Sequence, residues 1–282
     1  MKFDANAVYL TVKDHSVSGE TFTLLINEEF QLLQTTPQPA IENLGRYYES
    51  EDYISHTDSK RSLLEKLYHL VKGKSLKDKV KIIEKALGRK GTLLDIGAGT
   101  GDFLVTAKNA GWTVAGYEPN DSARSIAQGK GISFAESIEA IADNTYDVVT
   151  MWHVLEHVPD VAQQIALLKR IVKHDGIIII AVPNYKSFDA HYYGPYWAAY
   201  DVPRHLWHFS ATAIKKLFGE QGMRVTEILP MKFDSYYVSL LSEKYKNGKM
   251  SYPKAFLTGW RSNRAAVRSG EYSSLIYIIK MA

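Results

Sequence analysis

Apolar and polar residues alternate along the first part of the chain. VYLTVKD and TFTLLIN follow the two-residue period of a half-buried β-strand, and the pattern closes at TTPQP, where two prolines forbid regular strand pairing. Residues 40–58 are polar and rich in tyrosine. Beyond them, Asp58 or Ser59 is placed to cap a helix through Leu63, Leu64, Leu67 and Leu70, and a second helix with Val80, Ile82, Ile83 and Leu87 is expected to stop at Gly88. The chain then changes character. Apolar β runs (TLLDIG, TVAGYE, ISFA, YDVVTMW, GIIIIAVP) alternate with helical stretches, and GMRVTEILP and SSLIYIIKMA supply two late strands. Such alternation predicts an α/β domain: a doubly wound, mainly parallel seven-stranded sheet with helices on both faces, preceded by a small N-terminal β/α attachment. The expected division is 1–58 for the attachment, with a lid at its end, and 59–282 for the main domain, whose two leading helices fill 59–90.

Composition narrows the chemistry. Among 282 residues, 45% hydrophobic and 23% charged is the balance of a folded globular protein. The absence of cysteine excludes disulfides, thiolate zinc sites and cysteine nucleophiles. The net charge of +3 is too small and too dispersed to predict a nucleic-acid surface. No apolar run reaches the roughly 20 residues of a membrane helix, and MKFDANAVYLTVKD lacks the basic-then-apolar order of a signal peptide. A cytoplasmic protein without a membrane span is therefore expected.

In an open parallel sheet the ligand crevice lies at the carboxyl ends of the strands, where their order reverses. The first such end reads Asp95-Ile96-Gly97-Ala98-Gly99-Thr100-Gly101. Its glycines permit a tight turn and let a ligand lie against the backbone, while the following helix offers free N–H groups, which predicts a nucleotide-like ligand. The dinucleotide fingerprint G-x-G-x-x-G fails in both registers, ending on Asp102 from Gly97 and on Leu104 from Gly99, and a carboxylate there would repel a pyrophosphate. The P-loop ending is missing too. A phosphate-free ligand fits better. Glu118, closing the second strand, is placed to accept hydrogen bonds from both hydroxyls of a ribose.

LLDIGAGTG with an acid closing the next strand resembles the first motif of the class I S-adenosylmethionine-dependent methyltransferases. YDVVTMWHVLEHVPD resembles that family's fourth-strand segment, and the stretch from GIIIIAVPN to DVPRHLWHFS is similar to a bacterial subgroup related to ubiquinone-type O-methyltransferases. The likeness spans residues 90–282 and implies a Rossmann-like methyltransferase fold. It also implies S-adenosyl-L-methionine as cofactor, S-adenosyl-L-homocysteine as product, and an oxygen or nitrogen of a small-molecule acceptor as the methylated atom. By the same resemblance Asp95, Gly97, Ala98, Gly99 and Gly101 border the methionine part and Glu118 the ribose, with Pro119 beside it. Glu136 or Ser137 would border the adenine, and Trp152 and His153 the cofactor from the fourth strand's end. Relatives of this kind often begin with a cysteine-bearing zinc ribbon; DHSVSGETFTLLINEEFQLLQTTPQP has no cysteine, and no metal is expected.

Methyl transfer asks mainly for an aligned in-line attack, so a base is needed only if the acceptor must lose a proton. His157 and His205 are the candidates, since histidine titrates near neutrality. For His157 the alternative is a purely structural role. His153-Val154-Leu155-Glu156-His157 also matches the H-x-x-E-H pattern of one zinc-protease group, but it directly follows a strand and meets Pro159 two residues on, which disfavours the helix that pattern needs.

The aromatic insertion SFDAHYYGPYWAAYDVPRHLWHFS is expected to form the acceptor wall, with Trp197, Asp201 and Arg204 in it and Arg204 holding an acidic group. The alternative is that Trp197 is core and Arg204 pairs with Asp201. Tyr47, Tyr48, Tyr53 and His56 belong to the expected lid, Tyr53 and His56 touching the acceptor. An NAD-linked oxidoreductase on a similar sheet and a non-catalytic adenosyl-binding protein are the competing readings. Either a monomer or a homodimer suits all three, and residues 231–270 receive no role.

Overall fold

Strands that carry apolar residues on both faces must be covered on both. In the computed structural model, which describes residues 1–48 and 63–282, the strands β4 (Thr92–Ile96), β6 (Tyr146–Trp152) and β7 (Val172–Pro183) are of this kind. They lie in a six-stranded sheet of order β5-β4-β6-β7-β10-β9, with β5 at Thr113–Tyr117, β9 at Met223–Pro230 and β10 at Ser274–Met281. Neighbours from β5 to β7 pair in parallel, and β10 runs against both of its neighbours. Successive residues divide between the two faces. Leu94, Val149, Ile178 and Ile180 enter one buried cluster with Ile165, Leu168 and Phe218, whereas Leu93, Val148, Ile177 and Ile179 enter another with Val80, Ile83, Phe103 and Leu104.

The helices in chain order are α1 (Leu63–Leu87), α2 (Asp102–Asn109), α3 (Asp121–Gly129), α4 (Val161–Ile171), α5 (Phe188–Tyr193), α6 (Ala211–Glu220), α7 (Asp234–Asn247) and α8 (Tyr252–Ser269). From β4 the chain moves outward to β5 and then returns to β6 on the other side. The strand order therefore reverses beside β4, whose carboxyl end is where such sheets open a crevice.

Three expectations need correction. The seventh strand is not part of the ladder: ISFA makes a single parallel bridge, Phe134 opposite Gly116, through hydrogen bonds of 2.9 Å from Gly116 N–H to the Ser133 carbonyl and from Ala135 N–H to the Gly116 carbonyl. The apolar run between Gly131 and the exposed Glu136 is too short to continue it. The two leading helices are one continuous α1, because no proline interrupts it and Gly73 weakens a helix by only about 1 kcal/mol relative to alanine. The expected cap at Asp58 or Ser59, the lid residues Tyr53 and His56, and the side chains of Leu63, Leu64, Leu67 and Leu70 lie outside the described residues.

The third correction concerns the attachment. A second, antiparallel sheet holds β1 (Val8–Lys13), β2 (Thr21–Asn27), β3 (Leu32–Thr36) and β8 (Trp207–His208). Its fourth strand comes from the aromatic insertion, so Phe22, Leu24 and Leu33 share one core with Tyr193, Trp197 and Tyr200. No described helix is long and apolar enough to cross a membrane.

Candidate functional site

β4 enters the crevice through Gly97, Gly99 and Gly101, with φ of 72°, 53° and 77°, the left-handed region that favours glycine. Their surroundings differ. A Cβ on Gly97 would overlap a Val154 methyl and one on Gly101 would come within 2.8 Å of the Ala127 Cβ, but a Cβ on Gly99 meets nothing within 4 Å. Two glycines serve packing and the third fronts open space. Glu118 reaches this point from the end of β5: Gly99 N–H donates to Glu118 Oε2 (2.8 Å) and Asn120 N–H to Oε1 (2.9 Å), which fixes the carboxylate beside the turn. Asp102, at the start of α2 where the helix dipole favours an anion, pairs with Lys72 (2.7 Å) and Lys130 (2.6 Å).

Asp95 is buried and accepts a hydrogen bond from the Thr150 hydroxyl. Burial raises its carboxyl to about 7, against the Thr150 hydroxyl and the Lys79 ammonium, and Glu118 adds to the rise. Lys79 Nζ, on α1, stands 4.3 Å from the centre of the Trp152 ring, and burial lowers its pKa despite Asp95 and Asp234. The Trp152 indole N–H is buried with no hydrogen-bond partner among the described residues. His153, with φ of 57°, places Nε2 3.0 Å from Asp234 Oδ2 and Nδ1 3.4 Å from Glu156 Oε1. Burial opposes charge on the imidazole, yet the two carboxylates raise it to about 10, so His153 is an imidazolium at neutral pH. Sequence reasoning missed Lys79, Thr150, Asp234 and Glu156 as site residues. Only Glu156 carried a signal, through H-x-x-E-H.

His157 and His205 come together, with ring centres 4.6 Å apart. Because a carbonyl only accepts, His157 Nδ1–H donates to the Arg204 carbonyl (2.9 Å) and His205 Nδ1–H to the Ala199 carbonyl (2.9 Å). In the neutral form of a ring held this way the free lone pair is on Nε2. Burial and the neighbouring His205 lower His157 to about 4, which keeps it neutral. The Tyr48 hydroxyl lies 3.1 Å from His157 Nδ1. Glu156 is 1% exposed; Oε1 has the His153 imidazolium at 3.4 Å, and Oε2 has no hydrogen-bond partner among the described residues. One donor atom each from Glu156, His157 and His205 lies within 4.8 Å of the others, a set of the type that holds a divalent cation, which the expectation of no metal did not foresee. It is not the protease arrangement. His153 turns to Asp234, and Leu155–His157 is a short 3-10 helix rather than part of an α-helix.

The acceptor wall is a correction. Trp197 is 2% exposed, donates its indole N–H to Asp189 (2.8 Å) and belongs to the core under the small sheet. Arg204, 4% exposed, donates to Asp201 (2.7 Å), to the Tyr47 carbonyl (2.8 Å), to Asp14 (3.0 Å) and to Ser16 (2.6 Å). The Trp197 N–H is thus held within the insertion, and Arg204 ties Asp201 to the segment around Asp14, Ser16 and Tyr47. Glu136 and Ser137 follow the Phe134 bridge, where the Ser137 oxygen accepts the Ala140 N–H (3.1 Å), and Pro119 is exposed beside Glu118.

The profile of the methyltransferase domain family matches residues 61–228. The chain belongs to that family. Among curated relatives of this methyltransferase, the ubiquinone biosynthesis O-methyltransferase of Thiobacillus denitrificans is 29% identical over 159 residues, covering 50% of this chain and 68% of that one. The enzyme of the same name from Saccharophagus degradans is 34% identical over 113 residues, covering 36% of this chain and 48% of its own length. Among solved structures, magnesium protoporphyrin IX methyltransferase from Synechocystis with bound SAH has a TM-score of 0.56 at 15% identity, covering 86% of this chain and all of that one. A possible histamine N-methyltransferase from Thermotoga maritima has a TM-score of 0.50 at 20% identity, covering 72% and 87%. At such identities the structures establish the fold, and the family match establishes a class I S-adenosylmethionine-dependent methyltransferase. None of these matches supports the nicotinamide or non-catalytic readings.

Proposed function

We propose that the enzyme binds S-adenosylmethionine against Gly99 and Glu118 and methylates an oxygen or nitrogen of a small molecule, with a hydroxyl favoured by the histidine pair. The observation that carries this reading is the open space before Gly99, with the Glu118 carboxylate fixed beside it. Glu118 would accept both ribose hydroxyls. Lys79 offers an ammonium to the methionine carboxylate and Asp95 a carboxylate to its amino group, while the Trp152 N–H, without a partner among the described residues, is a donor still to be satisfied. The sulfonium makes the methyl carbon electrophilic, so the protein's task is to hold the acceptor in line and to take its proton. His157 and His205 have their Nδ1 protons engaged, so Nε2 of one of them is the receiving atom. The Tyr48 hydroxyl beside His157 brings the end of the 3-10 helix Ile41–Tyr48 against this side.

Calorimetric titration with S-adenosylhomocysteine and with NAD tests the cofactor, and transfer of labelled methyl from S-adenosylmethionine to compounds in a cell extract tests the activity. Capture of NAD without the adenosyl sulfur compound would overturn the proposal. A second reading of the acceptor side rests on the cluster of Glu156, His157 and His205, with Glu156 Oε2 left without a hydrogen bond among the described residues: these three would hold a divalent cation, which would supply orientation and acidification of the acceptor hydroxyl. On that reading a chelator stops turnover while leaving cofactor affinity unchanged.

Two predictions concern the cofactor. Glu118→Ala should weaken S-adenosylhomocysteine binding by about 1–3 kcal/mol, because it strands the ribose hydroxyls that the carboxylate would accept. Equal affinity in variant and parent would refute the ribose assignment. The pH dependence follows from Asp95. Its acid is mostly protonated below about 7 in the free enzyme and must ionise to meet the ammonium of the ligand, so affinity should rise with pH through that value and flatten in Asp95→Asn. Calorimetry in buffers of different ionisation enthalpy reads the released proton directly.

A further inference from the structure

Helices α7 and α8 form a hairpin joined by Gly248–Ser251, and its polarity is inverted. The buried face of α8 is small and partly polar, with Ala255, Thr258, Gly259, Ser262 and Ala266; α7 buries Ser235, Ser239 and Ser242, and the Ser235 hydroxyl donates to the Gly259 carbonyl. Gly259 allows the closest approach: a Cβ there would lie 3.0 Å from the Tyr236 backbone. Ser262 then anchors the hairpin to α5 through the buried Asp189 (2.6 Å). The large apolar side chains face outward instead. Phe256 is 65% exposed, Val267 74%, Tyr252 54% and Trp260 43%. On a helix turning about 100° per residue these four fall on one stripe, with Arg261, Arg264 and Arg268 on the next.

Charge on the same segment is one-sided. Residues 244–270 hold seven lysines and arginines and no aspartate or glutamate. Arg261, Arg264 and Arg268 line an open groove with Phe188, and the Arg264 guanidinium lies 5.4 Å from the Trp260 ring centre. Small residues between the helices, large apolar and aromatic residues outside and a flanking row of cations are the attributes of a helix that lies in the headgroup region of a bilayer. Leu257 and Val267 decide between polyanions, since exposed aliphatic groups gain nothing from nucleic-acid phosphates but are buried at an acyl boundary. The hairpin begins at Asp234, whose carboxylate lies 3.0 Å from the ring of His153.

We propose that the α7–α8 hairpin docks this methyltransferase on an anionic lipid surface, whatever its methyl acceptor. The full chain is sedimented with vesicles of phosphatidylglycerol mixed with phosphatidylcholine, and with phosphatidylcholine alone. Binding is expected only to the anionic vesicles, and added salt should weaken it. The Phe256→Ser/Trp260→Ser and Arg261→Glu/Arg264→Glu/Arg268→Glu variants should each lose about tenfold or more in partitioning, while their unchanged affinity for S-adenosylhomocysteine shows that they fold. Absence of binding to anionic vesicles at low salt would overturn the proposal. So would equal partitioning by the aromatic variant, or heparin or single-stranded DNA binding at matched salt that removes the protein from the vesicles and ignores Phe256 and Trp260, which would mark a general polyanion site.

Discussion

Gly99→Asp is expected to abolish cofactor binding while leaving the fold intact. The position has φ of 53°, a conformation that aspartate tolerates better than most residues, and its new Cβ meets no atom within 4 Å. The folded protein has room for the side chain, but only in the space assigned to the ligand. There the added carboxylate also comes near Glu118, which the Gly99 N–H already holds at 2.8 Å, so a second negative charge enters the space proposed for the ribose. A fall in S-adenosylhomocysteine affinity of about a hundredfold or more, ~3 kcal/mol, is expected by calorimetry with an unchanged thermal transition. Gly97→Ala is the contrast. Its methyl would overlap Val154 in a left-handed conformation, so it should lower thermal stability and binding together. Unchanged affinity in Gly99→Asp would remove the ligand from the turn.

What was legible in the sequence is what is local. β4, β6 and β7 are buried on both faces, so their apolar runs stand out, and the Gly97–Gly101 turn and Glu118 sit at the ends of two adjacent strands where spacing alone relates them. Contacts made by topology leave no such trace. Asp234 meets His153 only because β10 and β9 carry α7 to the rim of the sheet, and His205 reaches Glu156 and His157 only because the insertion folds back over the end of β6. The aromatic residues misled for a related reason. Trp197 and Tyr200 look like a pocket lining until β8 is seen to complete the small sheet, which makes them the core beneath it. ISFA was read as a strand from composition, and its failure to extend past one bridge reflects length rather than residue type.

Arg204→Ala should destabilise the whole chain by about 3–5 kcal/mol, the cost of leaving buried carboxylates without their cation. Arg204 is 4% exposed and Asp14 1%, and the guanidinium joins Asp14 near β1 to Asp201 in the insertion while bonding the Tyr47 carbonyl. Its loss therefore uncouples the small sheet from the segment that supplies β8. The pH dependence gives the sign of the effect. Burial alone would raise the Asp14 acid, but hydrogen bonds and charge from Arg204, with help from Ser18, lower it to about 2. A depressed acid stabilises the fold above its unfolded value of about 3.9 and loses that contribution as pH falls towards the folded value. In Arg204→Ala the acid loses its main cause of depression, so the gap between parent and variant should hold from neutrality down to about 4 and close as pH drops from about 4 towards 2. Urea unfolding across this range measures the gap. A constant difference would show that Arg204 acts through packing of its side chain and not through charge, and Arg204→Lys, which keeps the charge but not the planar fork, should fall between the two.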